Sequence, residues 1–142
     1  MSARGLVHHI DLTVSDVARS CVFYDAVLGF LGYRRSADSP NGHDWDRTGD
    51  GPFHSIGIVH ARRDGAARVH DRYSPGLHHL AWTAESRDDV DQLHALLQEI
   101  GAPVLDAPAD YPRYGPHYYA VFFADPDGLK LEFVCGRTEP SQ

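Results

Sequence analysis

The sequence predicts an α+β fold built from two tandem βαβββ modules. The main observation is a repeat, because residues 8–13 (His-His-Ile-Asp-Leu-Thr) return as residues 78–83 (His-His-Leu-Ala-Trp-Thr). Each copy leads into a helix pattern and then into short apolar segments between turn residues, which are typical of β-strands. This shared order indicates an internal duplication. We expect one domain over residues 1–142, with modules at about 5–72 and 76–136.

The first helix is indicated by a cap, an apolar stripe and a glycine. Ser15 or Asp16 is the expected N-cap, because a short polar side chain can accept from the free N–H groups of the first turn. Gly29 is expected to end the helix. The apolar residues between them have the spacing i, i+4, i+7 and i+11, which places them on one face. They are Val17, Cys21, Tyr24 and Leu28.

The second helix follows the same plan. Ser86, with Asp89 three residues later, forms a capping-box pattern, and Gly101 is the expected stop. The stripe expected to be buried comprises Val90, Leu93, Leu97 and Ile100. Both halves therefore share a strand, a cap, a helix and a glycine.

Short apolar segments predict the remaining strands. In the first half they are residues 30–35 and 53–61, with 67–71 as a further candidate, and in the second half 103–105, 118–123 and 129–134. The last two are joined by Asp125-Pro126-Asp127-Gly128, in which proline fixes φ and glycine accepts a positive φ. This segment predicts a hairpin turn.

Two segments rich in Pro, Gly and Asp predict loops, residues 36–50 and 107–116. The first contains Trp45, and the second contains Tyr111 and Tyr114. Aromatic side chains in loops suit a lid over a ligand, but they equally suit rings that pin a loop to the core. Both interpretations stay open here.

Composition and charge narrow the function classes. The chain is 42% hydrophobic and 23% charged, which is typical of globular proteins. Its formal net charge of −7 disfavours nucleic acid, whose phosphates need a clustered basic surface. The sequence has no apolar run near the roughly 20 residues that cross a bilayer, and no apolar signal segment at its start. We expect a cytoplasmic protein with a small-molecule partner, no membrane partner, and two unpaired thiols at Cys21 and Cys135.

Strand alternation selects one histidine from each His-His pair. The packing face of the first strand is expected to hold Leu6, His8, Ile10, Leu12 and Val14. His9 then lies on the opposite face with Asp11. In the second copy, Leu80 and Trp82 take the packing face, so His79 lies opposite them. The repeat thus selects the same member of each pair.

The final strand supplies a third candidate, Glu132. The packing face takes Leu129, Leu131 and Phe133, and Glu132 lies opposite them with Lys130 and Val134. A carboxylate there is costly unless it is paired or coordinated. Two imidazoles and one carboxylate suit Fe(II), Mn(II), Zn(II) or Ni(II). The alternative is a surface pair of Glu132 with Lys130 and two unrelated histidines.

Longer segments at both ends of the chain carry a family resemblance. The opening is residues 9–16 (His-Ile-Asp-Leu-Thr-Val-Ser-Asp), followed by Phe23-Tyr24 and Leu28-Gly29-Phe30. The closing segment is residues 125–132 (Asp-Pro-Asp-Gly-Leu-Lys-Leu-Glu). Together they resemble the vicinal oxygen chelate superfamily over nearly the whole chain. That superfamily includes glyoxalase I, methylmalonyl-CoA epimerase, extradiol dioxygenases, fosfomycin-modifying enzymes and metal-free bleomycin-binding proteins. The resemblance implies a cup-shaped, partly closed mixed β-sheet with helices outside.

The resemblance also implies one divalent metal ion. By position in the family's motifs, its ligands would be His9, His79 and Glu132. Glyoxalase I and the epimerase add a glutamate from the first module's last strand, where this chain has Gly57. His54 or His60 would be substitutes for that ligand, but both have the opposite strand parity to Gly57.

A three-ligand site is more similar to the extradiol and fosfomycin enzymes. Both commonly place a tyrosine ten residues before the closing glutamate, where this chain has Phe122, and the fosfomycin enzymes place a threonine where this chain has Asp11. The resemblance therefore implies a metal-dependent enzyme acting on a small oxygenated molecule, either a glyoxalase-like lyase or isomerase or a ring-cleaving dioxygenase. The alternative is a metal-free drug-binding protein of the bleomycin-resistance type.

The family mechanism implies roles for further residues. The metal would act as a Lewis acid towards adjacent oxygens, with Asp11 as general base or as the group that orients a ligand histidine. Tyr118 and Tyr119 could each supply a phenol, although a packing role is expected for both. The substrate pocket is expected to be lined by Tyr111, Tyr114, His117, Tyr119 and Phe122. Because the family usually pairs modules across a dimer, we expect a homodimer.

Overall fold

The computed structural model describes residues 2–62 and 68–136. The chain forms two compact units, Met1–Arg68 and Val69–Gln142. In the described residues, each unit has one α-helix and one four-stranded mixed sheet. The predicted α+β class and the two βαβββ modules are confirmed, and each sheet is open rather than closed on itself.

The first unit places the His9 strand at an edge of its sheet. Its elements are β1 His9–Val14, α1 Val17–Phe30, β2 Tyr33–Ser39, β3 Gly42–Arg47 and β4 Ser55–His60. The strand order is β1-β4-β3-β2, with β1 parallel to β4 and the other neighbours antiparallel. Leu12 and Val14 are buried as the alternation predicts, whereas Leu6 precedes the strand and is exposed.

Helix α1 keeps the predicted stripe but ends later than predicted. All four stripe residues are buried, and Asp16 is the N-cap because its carboxylate accepts from the Arg19 N–H at 3.1 Å. Gly29 lies inside the helix. The chain leaves the helix at Gly32, whose φ of +93° suits glycine and whose N–H donates to the Gly29 carbonyl at 3.2 Å.

The predicted loop at residues 36–50 is wrong, because β2 and β3 form a hairpin there. Trp45 is only 1% exposed, lies opposite Ile56 of β4, and donates its indole N–H to Asp25 of α1 at 2.8 Å. It therefore belongs to the core and not to a lid. The further strand candidate at 67–71 is also wrong for residues 68–71, which form no strand, and Ala67 lies outside the described residues.

The second unit repeats the plan. Its elements are β5 His79–Thr83, α2 Arg87–Glu99, β6 Val104–Asp110, a 3₁₀ turn at Pro112–Tyr114, β7 Tyr119–Ala124 and β8 Lys130–Cys135. The order is β5-β8-β7-β6, with β5 parallel to β8. The predicted loop at 107–116 therefore begins inside β6. Its polar and proline residues obscured a strand whose pairing with β7 is irregular.

Helix α2 has the predicted N-cap, but its buried stripe ends one stripe residue earlier than predicted, at Leu97. The Ser86 hydroxyl accepts from the Asp89 N–H at 3.0 Å, and three of the four predicted stripe residues are fully buried. Ile100 is instead 37% exposed, because it is the C-cap and lies beyond the last helical turn that packs on the sheet. Gly101 follows with φ +70°, as expected of a helix stop.

The hairpin turn before Glu132 forms as predicted. Gly128 has φ +84° and donates its N–H to the Asp125 carbonyl at 3.0 Å. The buried Asp125 carboxylate accepts from the N–H groups of Asp127 and Leu129, each at 2.9 Å. This turn fixes the register of β7 against β8. Glu132 consequently lies opposite Phe122.

Two further findings concern the whole described chain. Cys21 and Cys135 are free thiols, as expected. The helices within residues 2–62 and 68–136 include none long and apolar enough to cross a membrane.

Candidate functional site

The pairing of β5 with β8 brings His79 beside Glu132. The two strands run parallel, with His79 level with Lys130 and Ala81 level with Glu132. His79 Nε2 lies 3.2 Å from Glu132 Oε1, and the glutamate side chain is 2% exposed whereas the histidine side chain is 35% exposed. A surface pair of Glu132 with Lys130 is therefore wrong, because the carboxylate is buried.

Tyr118 holds the other oxygen of the same carboxylate. Its hydroxyl donates to Glu132 Oε2 in a short hydrogen bond. Burial raises the pKa of the Tyr118 phenol, and the hydrogen bond and negative charge of Glu132 raise it further. From the sequence, Tyr118 was a possible phenol donor for which a packing role was expected, and it was not among the expected pocket residues. It shares strand parity with Phe122, the register partner of Glu132, and that signal could have found it.

Three of the five expected pocket residues gather around Tyr118. The rings of Tyr111 and Tyr114 stack with centroids 5.9 Å apart, and Tyr111 meets Phe122 edge-to-face at 5.4 Å. The Tyr118 ring lies 6.4 Å from Tyr111 and 5.3 Å from Tyr114. We call these four residues the aromatic cluster. Lys130 places its Nζ 4.6 Å from the Phe122 ring.

The other two expected pocket residues do not join the aromatic cluster. Tyr119 has the opposite strand parity to Phe122, so it turns towards α2. There its hydroxyl donates to Asp91 at 2.6 Å and its ring lies 3.9 Å from the Arg87 guanidinium. The strand pleat therefore places Tyr119 on the opposite face from Phe122. The His117 side chain is exposed.

In the first unit, Asp11 and Asp44 meet above Gly57. Asp11 of β1 and Asp44 of β3 lie level with Gly57 of β4 on either side. A Cβ added at Gly57 would lie 2.4 Å from Oδ1 of each carboxylate. The missing side chain thus makes room for both. Asp44 was not expected from the sequence, because its segment was assigned to a loop.

His9 is the more open of the two repeat histidines. Its Nε2 lies 3.9 Å from Asp11 Oδ2, and both side chains are more than half exposed. His54 is not on the Gly57 face. Its Nδ1 lies 2.7 Å from the Tyr33 hydroxyl, and burial, followed by the positive charges of Arg47 and His8, lowers its pKa. His60 ends β4 and contacts the Ala61 carbonyl.

Both His-His pairs have the same internal contact. The Nδ1 atoms of His78 and His79 are 2.8 Å apart, and those of His8 and His9 are 3.0 Å apart. In each pair the two rings are edge-to-face, with centroids 5.0 and 5.2 Å apart respectively. The duplication therefore extends from the sequence to the side-chain geometry.

Comparison with known proteins identifies the family. Residues 6–133 match the model of the glyoxalase/bleomycin resistance protein/dioxygenase superfamily. The chain belongs to this superfamily. The uncharacterized protein YqjT of Bacillus subtilis (strain 168) is 36% identical over 129 residues, covering 91% of this chain and 98% of that protein.

Solved structures of the superfamily share the fold. A candidate glyoxalase from Bacillus halodurans is 31% identical with a TM-score of 0.78, covering 93% of this chain and 96% of that one. Lactoylglutathione lyase from Agrobacterium tumefaciens is 17% identical with a TM-score of 0.66, covering 95% of this chain and 96% of that one. At that identity the second likeness concerns the fold alone.

The superfamily commonly uses a divalent metal, and the donor chemistry of the second unit fits one in part. An imidazole nitrogen and a buried carboxylate oxygen lie 3.2 Å apart, and such mixed N and O donors suit the divalent metals of this kind of site. Within the part of the chain that the structure describes, no group of three or more His, Cys, Asp or Glu residues is arranged to hold a metal. His79 and Glu132 thus form a two-donor arrangement.

Proposed function

We propose that this protein is a metal-dependent enzyme of the superfamily that acts on a small oxygenated molecule. The observation that carries the proposal is the His79–Glu132 contact. A carboxylate only 2% exposed is costly in a protein interior unless it has strong partners, and here an imidazole Nε2 lies 3.2 Å from one of its oxygens. A bound cation would offset the desolvation cost of the buried Glu132 carboxylate.

The proposed ligands are His79 and Glu132, with His9 as the third. His9 is included because the repeat gives it the same strand position as His79. A bound divalent ion would supply Lewis acidity towards adjacent oxygens of the substrate. Its identity among Fe, Mn, Zn and Ni stays open.

The residues around the proposed ligands have roles that can be described without the metal ion. Tyr118 fixes the orientation of the Glu132 carboxylate by donating to Oε2. The aromatic cluster supplies apolar surface for a small substrate and keeps water from one side of the carboxylate. Asp11 is the proposed base or the group that orients His9, from which it is 3.9 Å away.

Two reaction types follow from the family. The 31% identity to a candidate glyoxalase favours a lyase or isomerase that moves a proton next to a carbonyl, with a ring-cleaving dioxygenase as the second type. The lyase or isomerase reaction is tested with a panel of small hydroxyketones, by using NMR to monitor hydrogen–deuterium exchange at the carbon next to the carbonyl. Oxygen uptake with a catechol panel under Fe(II) tests the second.

A metal-binding experiment tests the proposal itself. We expect protein purified without added metal to take up Zn(II) or Ni(II) in titration calorimetry, and His79→Ala and Glu132→Gln to lose that binding. His94→Ala, which removes an imidazole from α2, is the matched control. Protein that holds no metal by elemental analysis and titrates identically in all variants would contradict the proposal.

The aromatic cluster also supports a second candidate, a metal-free drug-binding protein. Tyr111 and Tyr114, stacked at 5.9 Å, offer a flat surface for a planar ligand. In this case a planar aromatic drug would bind equally well with and without a chelator. Binding abolished by Tyr114→Ala but unchanged in His79→Ala would favour this candidate over the enzyme.

A further inference from the structure

The first histidine of each His-His pair has a defined setting of its own. His78 packs edge-to-face on Tyr73 with centroids 5.4 Å apart, and His8 packs on Phe53 at 4.7 Å. Each therefore contacts one aromatic ring and the Nδ1 atom of the histidine that follows it. Two nitrogen atoms 2.8 Å apart are at hydrogen-bond distance, so one must carry the proton and the other the lone pair.

The two ring nitrogens of the second histidine also have similar neighbours in both copies. In each, Nδ1 meets the preceding histidine while Nε2 points towards a carboxylate, Glu132 for His79 and Asp11 for His9. The nitrogen that faces the site is thus Nε2 in both. Whether Nε2 carries the ring proton depends on the hydrogen bond that Nδ1 makes.

We propose that His78 is a positioning residue for His79, and that His8 has the same role for His9. Without metal, a proton on His79 Nε2 faces the Glu132 carboxylate oxygen 3.2 Å away, so His79 Nδ1 is left to accept from His78 Nδ1–H. A metal ligand must instead present a lone pair at Nε2. The contact then reverses, and His79 Nδ1–H donates to His78 Nδ1.

The reversal conserves protons. His79 gives its Nε2 proton to solvent and receives the Nδ1 proton of His78, while His78 takes one proton from solvent at its own Nε2. Both imidazoles stay neutral throughout. His78 can therefore orient the ring in either state, which a backbone carbonyl could not do because it only accepts.

The inference rests on the proposed function, and two readouts separate them. The first needs no metal. In protein labelled with ¹⁵N, an N–H···N bond gives a scalar coupling between the two Nδ1 atoms, which we expect between His78 and His79. Its absence in the wild-type protein would overturn the inference even if the protein bound metal.

The second readout is Zn(II) affinity. Removing the partner of a ligand histidine commonly costs about 10–100-fold in affinity, and because this pair is partly exposed we expect about tenfold for His78→Ala. His78→Asn, whose amide oxygen can accept the Nδ1 proton, should restore most of it, and His94→Ala should change nothing. His8→Ala should weaken binding in the same way.

The combinations of outcomes are distinct. Full affinity in His78→Ala, with the coupling present in wild type, overturns the positioning role and leaves the enzyme proposal standing. Failure of the wild-type protein to bind Zn(II) overturns the enzyme proposal, and with it the metal role of the pair. Circular dichroism of His78→Ala checks that it folds, which we expect because His78 is exposed and precedes β5.

Discussion

Tyr118 donates its phenolic hydrogen to Glu132, and this bond joins the turn before β7 to the middle of β8. The acceptor is a carboxylate 2% exposed, so water cannot replace the phenol if it is removed. The bond thus contributes to stability as well as to the orientation of a proposed ligand.

Tyr118→Phe should lower the free energy of unfolding by about 2 kcal/mol, the usual cost of leaving a buried charged acceptor without one donor. Urea unfolding measures this. Tyr119→Phe is the matched control, because it removes a hydroxyl that bonds Asp91 at the surface and should cost under about 1 kcal/mol. Equal losses in the two variants would contradict the assigned role of Tyr118.

The raised pKa of Tyr118 has a consequence at high pH. The folded state holds this proton more tightly than the unfolded chain, so the stabilisation is complete below the ordinary tyrosine pKa of about 10. It declines as pH rises from that value towards the folded pKa. A pH titration followed by tyrosinate absorbance should show one phenol with a raised pKa fewer in Tyr118→Phe than in the wild-type protein.

His54 gives a pH dependence of the opposite sign. Its folded pKa is lowered, mainly by burial, so the unfolded chain binds the proton more readily. The contribution of neutral His54 is fully present above about pH 6.5 and is lost as pH falls from there to the lowered pKa. Unfolding at about pH 7.5 and 5.5 should show a greater acid loss in wild type than in His54→Gln. Parallel losses would count against this.

Substitution by alanine should lower the free energy of unfolding by different amounts at two glycines. At Gly57 the added Cβ meets the ends of two aspartate side chains, which can turn away, so Gly57→Ala should cost about 1 kcal/mol. At Gly42 the added Cβ would lie 2.0 Å from the Ile58 carbonyl oxygen, which is backbone in β4, so Gly42→Ala should cost about 3 kcal/mol or more. Chemical denaturation of both variants checks the order, and the reverse order would be incompatible with this packing.

The expected homodimer is tested by sedimentation. Superfamily members are often dimers, and we expect this protein to sediment with the mass of two chains at micromolar concentration. A clean monomer over the whole concentration range would contradict the expectation. A mass that varies with concentration would give the dissociation constant.

Much of the fold could be predicted because its signals are local. The caps at Asp16 and Ser86 and the turn ending at Gly128 depend on residues near each other in the chain. The repeat of residues 8–13 at 78–83 is visible in the sequence itself. The alternation of strand residues likewise placed His79 and Glu132 on one face, where the structure finds them 3.2 Å apart.

Other features depended on contacts between distant segments. Polar and glycine residues around Trp45 predicted a loop, but its packing against Ile56 and its bond to Asp25 place it in the core. Likewise, the sequence alone placed Glu132 on the right face, but the partner Tyr118 followed only from the pairing of two strands. Local propensity and periodicity determine which residues share a face, whereas strand register, which is set by tertiary packing, decides which of them meet.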